Sequence, residues 1–296
     1  MVTKKWPLAR LNHEHGKTVI DEASGLEVFH APSPHALIQA AGYLKYIRAT
    51  EAGKGVFFRG QTKLYDSLGP SLLRDLKDNS PAVPKRREIL NKYLVEIDEQ
   101  NEALKSVPSS AREALLQHYG IRTTWVDVVD NVWIALWFAC HHARSASRGV
   151  EEYLHFEKRC PGPDIERKHL YAYILLIESA QFGQQLDSPG HYKDDRSETI
   201  DLRVAVPSHF VRPHAQHGIL IRRLSKTGRP VCDFGEMHVG TVRVDLAAAL
   251  EWLGNAATLT CHSLFPPAYY DYGYRELLEF IRPNVRTLGA IQRIQP

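Results

Sequence analysis

The sequence predicts an α+β fold, a single mixed domain with a central, largely antiparallel sheet flanked by helices. Three observations carry this expectation. Apolar content of 44% and charged content of 24% over 296 residues are those of an ordinary globular chain with an ample core. Short β-branched and aromatic runs, Gly55–Arg59 and Tyr171–Ile177 foremost, are interspersed with segments of helical period. No repeat, low-complexity tract or linker divides the chain, so residues 1–30 read as an N-terminal arm and residues 31–296 as one domain.

In chain order, the arm suggests a hairpin through His15-Gly16 and Ser24-Gly25. Ser33-Pro34 opens a helix in which Leu37, Ala40, Ala41, Leu44 and Ile47 recur at helical spacing. The strand Gly55–Arg59 ends in an Arg59-Gly60-Gln61 turn. Residues 84–105 carry Ile89, Tyr93, Ile97 and Leu104 between charges, the pattern of an amphipathic helix. Ser109–Glu113 offers a capping-type start to a helix ending at His118. A glycine turn, a short strand and a strongly apolar helix, Asn131–Cys140, follow. Residues 143–168 read as an exposed insertion, Tyr171–Ile177 as a buried strand, and 180–197 as a polar flap over a cleft. Leu202–Val206, Gly218–Arg223 and Val239–Asp245 read as strands. Asp245 is a cap for a helix Leu246–Leu253, and Tyr274–Ile281 a last helix.

Composition excludes several classes. No stretch approaches the roughly 18 apolar residues of a membrane span, and Met1–Pro7 lacks the apolar run of a secretory signal. Four dispersed cysteines without a Cys-x-x-Cys favour reduced thiols and a cytoplasmic setting. A net charge of +3 permits an anionic partner without demanding one. Cys140-His141-His142 reads as a helix C-terminus, no metal set has the right spacing, and Ser71, Ser109 and Ser110 lack a nucleophile-elbow context. His13, His15, His30 and His35 read as surface, and Tyr269–Tyr274 as a packed aromatic loop that could stack on bases.

The informative segment is Gln117–Asp127, which sets His118, Thr123, Thr124 and Asp127 close to Trp125 and Trp133. Unpaired buried polar groups cost about 1–3 kcal/mol each, so such a cluster suggests a site. With Phe58-Arg59-Gly60-Gln61 upstream, the chain resembles the FRG-domain family. The resemblance runs through Tyr65, Pro70-Ser71-Leu72, Arg74, His118-Tyr119-Gly120, Thr123, Asp127 and Ala135–Ala139 to Arg212–Gly218, a motif core of residues 55–223. It departs at Arg122, where proline is usual, and at Thr124, where arginine is common.

The motif order is also similar, more weakly, to the ADP-ribosyltransferase superfamily. That likeness implies an ADP-ribosyltransferase-like fold and NAD as substrate. Arg59, with Gly60 and Gln61, would hold NAD, because a guanidinium fork suits a pyrophosphate and glycine lets a ligand approach the backbone. Tyr119, Thr123 and Trp125 would line the pocket, and His118, Asp127 and Gln216 would act on the ribose and the attacking group. Gln216 stands where a carboxylate is expected. It suffices with help from Asp127, or Glu178 or Glu236 serves instead, or the pocket only binds. The implied function is a toxin or phage-defence effector modifying a macromolecule, a nucleic acid or a protein, and neutralised by an antitoxin partner. The alternative is a non-catalytic recognition module. It would bind nucleic acid or a partner protein through the same cleft. A separate, purely structural reading has Arg59 pinning Asp127 through a buried ion pair, with His118 and Gln216 as satisfied core groups.

Overall fold

The computed structural model describes residues 7–11, 16–149, 151–160, 170–181, 183–186, 188–254, 259–279 and 285–295. His13, His15 and Ile281, the end of the expected last helix, and residues 161–168 of the expected insertion lie outside these residues.

A 3-10 turn (Pro7–Leu11) precedes β1 (Lys17–Ile20), β2 (Glu27–His30), α1 (Pro34–Ala52), β3 (Lys54–Gln61), α2 (Ala82–Gln100), α3 (Glu102–Lys105) and α4 (Ser109–His118). Next come β4 (Val126–Val129), α5 (Val132–Ala139), β5 (His141–Arg148), β6 (Glu151–Lys158), β7 (Tyr171–Ala180), β8 (Gln184–Gln185), β9 (His191–Lys193) and β10 (Ser197–Asp201). The chain ends through α6 (Leu202–Ala205), α7 (Val211–Ala215), β11 (Gly218–Arg223), β12 (His238–Asp245), α8 (Leu246–Trp252), α9 (Cys261–Leu264), α10 (Tyr272–Glu279), α11 (Val285–Leu288) and β13 (Gln292–Gln295).

The fold is α+β. Ten strands form one sheet in the order β1-β2-β12-β7-β3-β4-β11-β10-β9-β8, antiparallel at every pairing but β2 with β12. The hairpin β1–β2 is thus part of this sheet. β7 is its spine because alternate residues are buried on opposite faces: Ile174 and Leu176 with α1 and α5, Tyr173, Leu175 and Ile177 with Val126, Ile219 and Phe234. A third cluster packs α2 and α4 beside β11, around Tyr93, Leu116 and Trp125.

Local signals explain the helices that matter for the site. Ser33 caps α1 by accepting the Ala36 N–H, and Gly53 closes it in the left-handed region at φ 59°. The Asn131 side chain accepts the Trp133 N–H and starts α5, whose residues are apolar on every side, so it is buried against the sheet.

Four expectations are corrected. Residues 141–148 and 151–158 form a β-ribbon, β5–β6, joined by β13 into a separate three-stranded sheet. In place of the flap expected at 180–197, residues 184–185, 191–193 and 197–201 make the outer strands β8–β10 of the main sheet. Leu202–Ala205 is a helical turn capped by the Asp201 side chain, because the strand is the preceding Ser197–Asp201. No side chain caps α4 or α8; Glu113 instead accepts from the Thr124 N–H and hydroxyl, and Asp245 faces His30.

Candidate functional site

β3 is antiparallel to β7 along its whole length, yet it shares only the pair Phe58–Val129 with β4 on its other side. The sheet is therefore nearly split there. A cavity of about 320 Å³ opens at this seam, lined by Phe58, Arg59 and Gly60 of β3 and Asp127, Val128 and Val129 of β4. The ribbon covers it with Glu152, Leu154 and Phe156. Phe138, Phe156 and Phe265 supply aromatic walls, with Phe156 and Phe265 stacked at 4.5 Å. Arg122, Gln216 and Gln292 complete the polar rim.

At the floor, both oxygens of Asp127 are engaged. His118 Nδ1 lies 3.2 Å from Oδ1, and Gln117 Nε2 donates to Oδ2 at 2.9 Å. Gln117 is itself fixed, because its Oε1 accepts from the Thr123 N–H and hydroxyl at 3.0 Å and from Ser71 at 3.2 Å. A carboxylate only accepts, so His118 carries a proton on Nδ1. Its Nε2 is buried without a hydrogen-bond partner. Gly218 makes room for this ring, since a Cβ there would stand 2.8 Å from His118 Cε1. Burial alone would raise the Asp127 pKa. The bonds from His118 and Gln117 and the charges of His118 and Arg59 outweigh it and hold the carboxyl below its usual range.

Arg59 crosses the seam. Its Nη1 donates to the Asp127 backbone carbonyl, while its Nε is buried with no partner. The expected ion pair between Arg59 and the Asp127 carboxylate is replaced by this backbone contact, and the carboxylate answers to His118 and Gln117. Burial chiefly lowers the Arg59 pKa, and Asp127 opposes that shift.

The structure thus brings Arg59, Gly60, His118, Asp127 and Gln216 to one cavity. Gln61 lines a neighbouring outer cleft. Tyr119, Thr123 and Trp125 do not line the cavity; each is buried elsewhere with its own task. Tyr119 donates to Asp271 at 2.7 Å, Thr123 orients Gln117, and Trp125 lies under the Arg222 guanidinium at 4.1 Å. Burial and Asp271 push the Tyr119 phenol well above its ordinary pKa. Gly60 also has a different reason from ligand approach. A Cβ there would sit 1.8 Å from the Ala135 carbonyl oxygen, so glycine is what lets α5 cross β3. Gln216 donates to the Leu264 carbonyl at 2.7 Å.

Glu178 pairs with Arg48 and Glu236 with Arg223, and neither lines the cavity. The carboxylate at the cavity besides Asp127 is Glu152, half-buried on β6. Sequence reasoning missed it, as it missed Gln117. Glu152 sits in a charged segment with no motif around it, whereas Gln117, next to His118 at a helix end, offered a usable signal. Among the described residues, no group of three or more His, Cys, Asp or Glu side chains could hold a metal ion. No described helix is long and apolar enough to cross a membrane.

Residues 54–148 match the family model of the FRG domain, so the chain carries an FRG domain from β3 through β5. Arg59, Gly60, His118 and Asp127 fall inside the match, and Glu152, Gln216 and Phe265 outside it. No curated protein and no solved structure matches the chain significantly.

Proposed function

We propose that this FRG-domain protein is an ADP-ribosyltransferase-like enzyme that uses NAD to modify a macromolecule. The observation that carries the reading is the convergence, in one aromatic-walled cavity of about 320 Å³, of Arg59, the His118–Asp127 pair and Glu152. A cavity of this size suits a single flat ring with part of a sugar. Phe138, Phe156 and Phe265 offer ring faces to nicotinamide. The unpartnered Arg59 Nε is a donor suited to a ligand oxygen, the kind of group a phosphate supplies.

In the proposed reaction the bond between nicotinamide and ribose breaks, and its electron pair leaves with nicotinamide. The acceptor's nucleophilic atom then bonds to the ribose carbon, and its proton passes to Glu152 and on to solvent. Asp127 and Glu152 provide fixed negative charge opposite the cationic sugar, the kind of preorganised field that contributes most to such catalysis. Gln117 and His118 hold Asp127 ionised and oriented. Gln216, bonded to the Leu264 carbonyl, contributes an amide at the rim.

An activity that drains NAD and alters a macromolecule harms its host, which supports a role as a toxin or phage-defence effector with a neutralising antitoxin partner. The mild positive charge of +3 is compatible with an anionic acceptor such as a nucleic acid. The runner-up, a non-catalytic recognition module, is favoured by the backbone bonds of Arg59 and Gln216, which resemble structural polar contacts. Incubating the protein with labelled NAD, RNA, DNA and cell extract separates the two. The enzyme releases nicotinamide and labels one acceptor class, and Glu152→Gln abolishes both without unfolding. A folded wild type that does neither rejects the enzyme.

A further inference from the structure

A second, outer cleft of about 770 Å³ adjoins the cavity and shares Arg59, Gly60, Phe138 and Phe156 with it. Arg59 and Gln61 stand two residues apart on β3, so their side chains leave the same face of the sheet. Both bring a buried polar atom without a hydrogen-bond partner, the donor Arg59 Nε and the acceptor Gln61 Oε1. Arg74 lines the cleft, is exposed, and makes no hydrogen bond or ion pair with a described residue. By contrast, Arg48, Arg112, Arg203, Arg222 and Arg243 each meet a carboxylate. Tyr65 also lines the cleft at 54% exposure, with Lys63 Nζ held 5.0 Å from its ring centroid.

We infer that the outer cleft binds a phosphate-bearing nucleoside, with its phosphate at Arg59 and Arg74 and its base against Tyr65. Guanidinium groups without carboxylate partners suit a phosphate. An exposed tyrosine ring suits a base, and an unsatisfied amide oxygen accepts from an exocyclic amino group. Arg59 and Arg74 line the same cleft, and the positive charge of Arg74 adds to burial, the main cause, in lowering the Arg59 pKa. Asp66, Asp75 and Asp233 line the cleft as well. They would repel an extended phosphodiester chain yet can accept from base amino groups, which favours one nucleotide unit over a nucleic-acid strand.

Calorimetric titration of the whole protein with 5′-AMP, adenosine and a short single-stranded oligonucleotide tests this. Arg74→Gln and Tyr65→Ala change exposed side chains, and their unfolding midpoints confirm the fold. Arg74→Gln weakens AMP about tenfold and leaves adenosine unchanged, while Tyr65→Ala weakens both about tenfold. The inference is overturned if wild type does not bind AMP, if neither variant alters its affinity, or if only the oligonucleotide binds. It does not depend on NAD turnover, and nicotinamide release measured alongside keeps the two apart. Arg74-dependent AMP binding without release sustains the cleft and rejects the enzyme. Release without Arg74-dependent AMP binding rejects the cleft alone.

Discussion

Replacing Gly60 with alanine tests what the glycine after Arg59 is for. The new Cβ would stand 1.8 Å from the Ala135 carbonyl oxygen and 2.8 Å from the Ala139 nitrogen, where real Cβ atoms essentially never come within 3.0 Å. The shortfall at Ala135 is therefore about 1.2 Å, and the obstacle is helix backbone rather than a side chain that could swing away. Relief requires α5 to lift from β3, yet its Ile134, Ala135, Leu136, Trp137 and Ala139 are all buried. Overpacking of this kind costs about 1–3 kcal/mol, and a backbone obstacle belongs at the upper end, about 3 kcal/mol. Urea unfolding followed by circular dichroism should show a lower midpoint at unchanged slope. A variant within about 0.5 kcal/mol of wild type that has lost ligand binding would refute the packing argument and restore ligand approach as the reason for glycine.

The remaining predictions concern the charges and hydrogen bonds. Asp127→Asn should be less stable than wild type at pH 7. The folded-state pKa of Asp127 is depressed, so its contribution is present above the unfolded value of about 4 and lost as pH falls through the folded one. The wild-type advantage in urea should therefore shrink below about pH 4, and an advantage constant from pH 7 to 3 would contradict the assignment. Arg222→Met strips buried Glu198 of its main cation, and because Lys193 still contacts Glu198 at 3.2 Å the loss should be about 3 kcal/mol. A loss under about 1 kcal/mol would mean the pair is solvent-screened. Tyr119→Phe should cost about 1 kcal/mol, since Asp271 keeps the Arg212 and Tyr274 N–H groups. Nicotinamide release should be unchanged, and a selective loss of release would return Tyr119 to the site.

Much of the scaffold was legible where local chemistry decides. Ser33 and Asn131 act as caps, and the β-branched runs of β3 and β7 are buried as their composition demands. Reading failed where burial is polar. Ser197–Asp201 is a strand in which Glu198 and Thr199 are buried, made tolerable by Arg222 and Ser179, and no hydropathy pattern reveals such partners. The ribbon β5–β6 read as a loose insertion because residues 143–147 are exposed and charged or small. The half of the site near Arg59, His118 and Asp127 was visible as a motif. Glu152 and the aromatic cover were not, because they reach the cavity only through the docking of that ribbon, a long-range event without a local signature.

The near-absence of pairing between β3 and β4 has a mechanical consequence. A sheet resists shear because neighbouring strands are tied at intervals along their length, and here two halves of one sheet share a single registered tie, with Arg59 bridging nearby. The joint is compliant compared with the full ladder between β3 and β7. A ligand spanning this joint acts as a strut, so its binding should slow amide exchange in β3 and β4 together. The molecule would sense occupancy as stiffness across its middle.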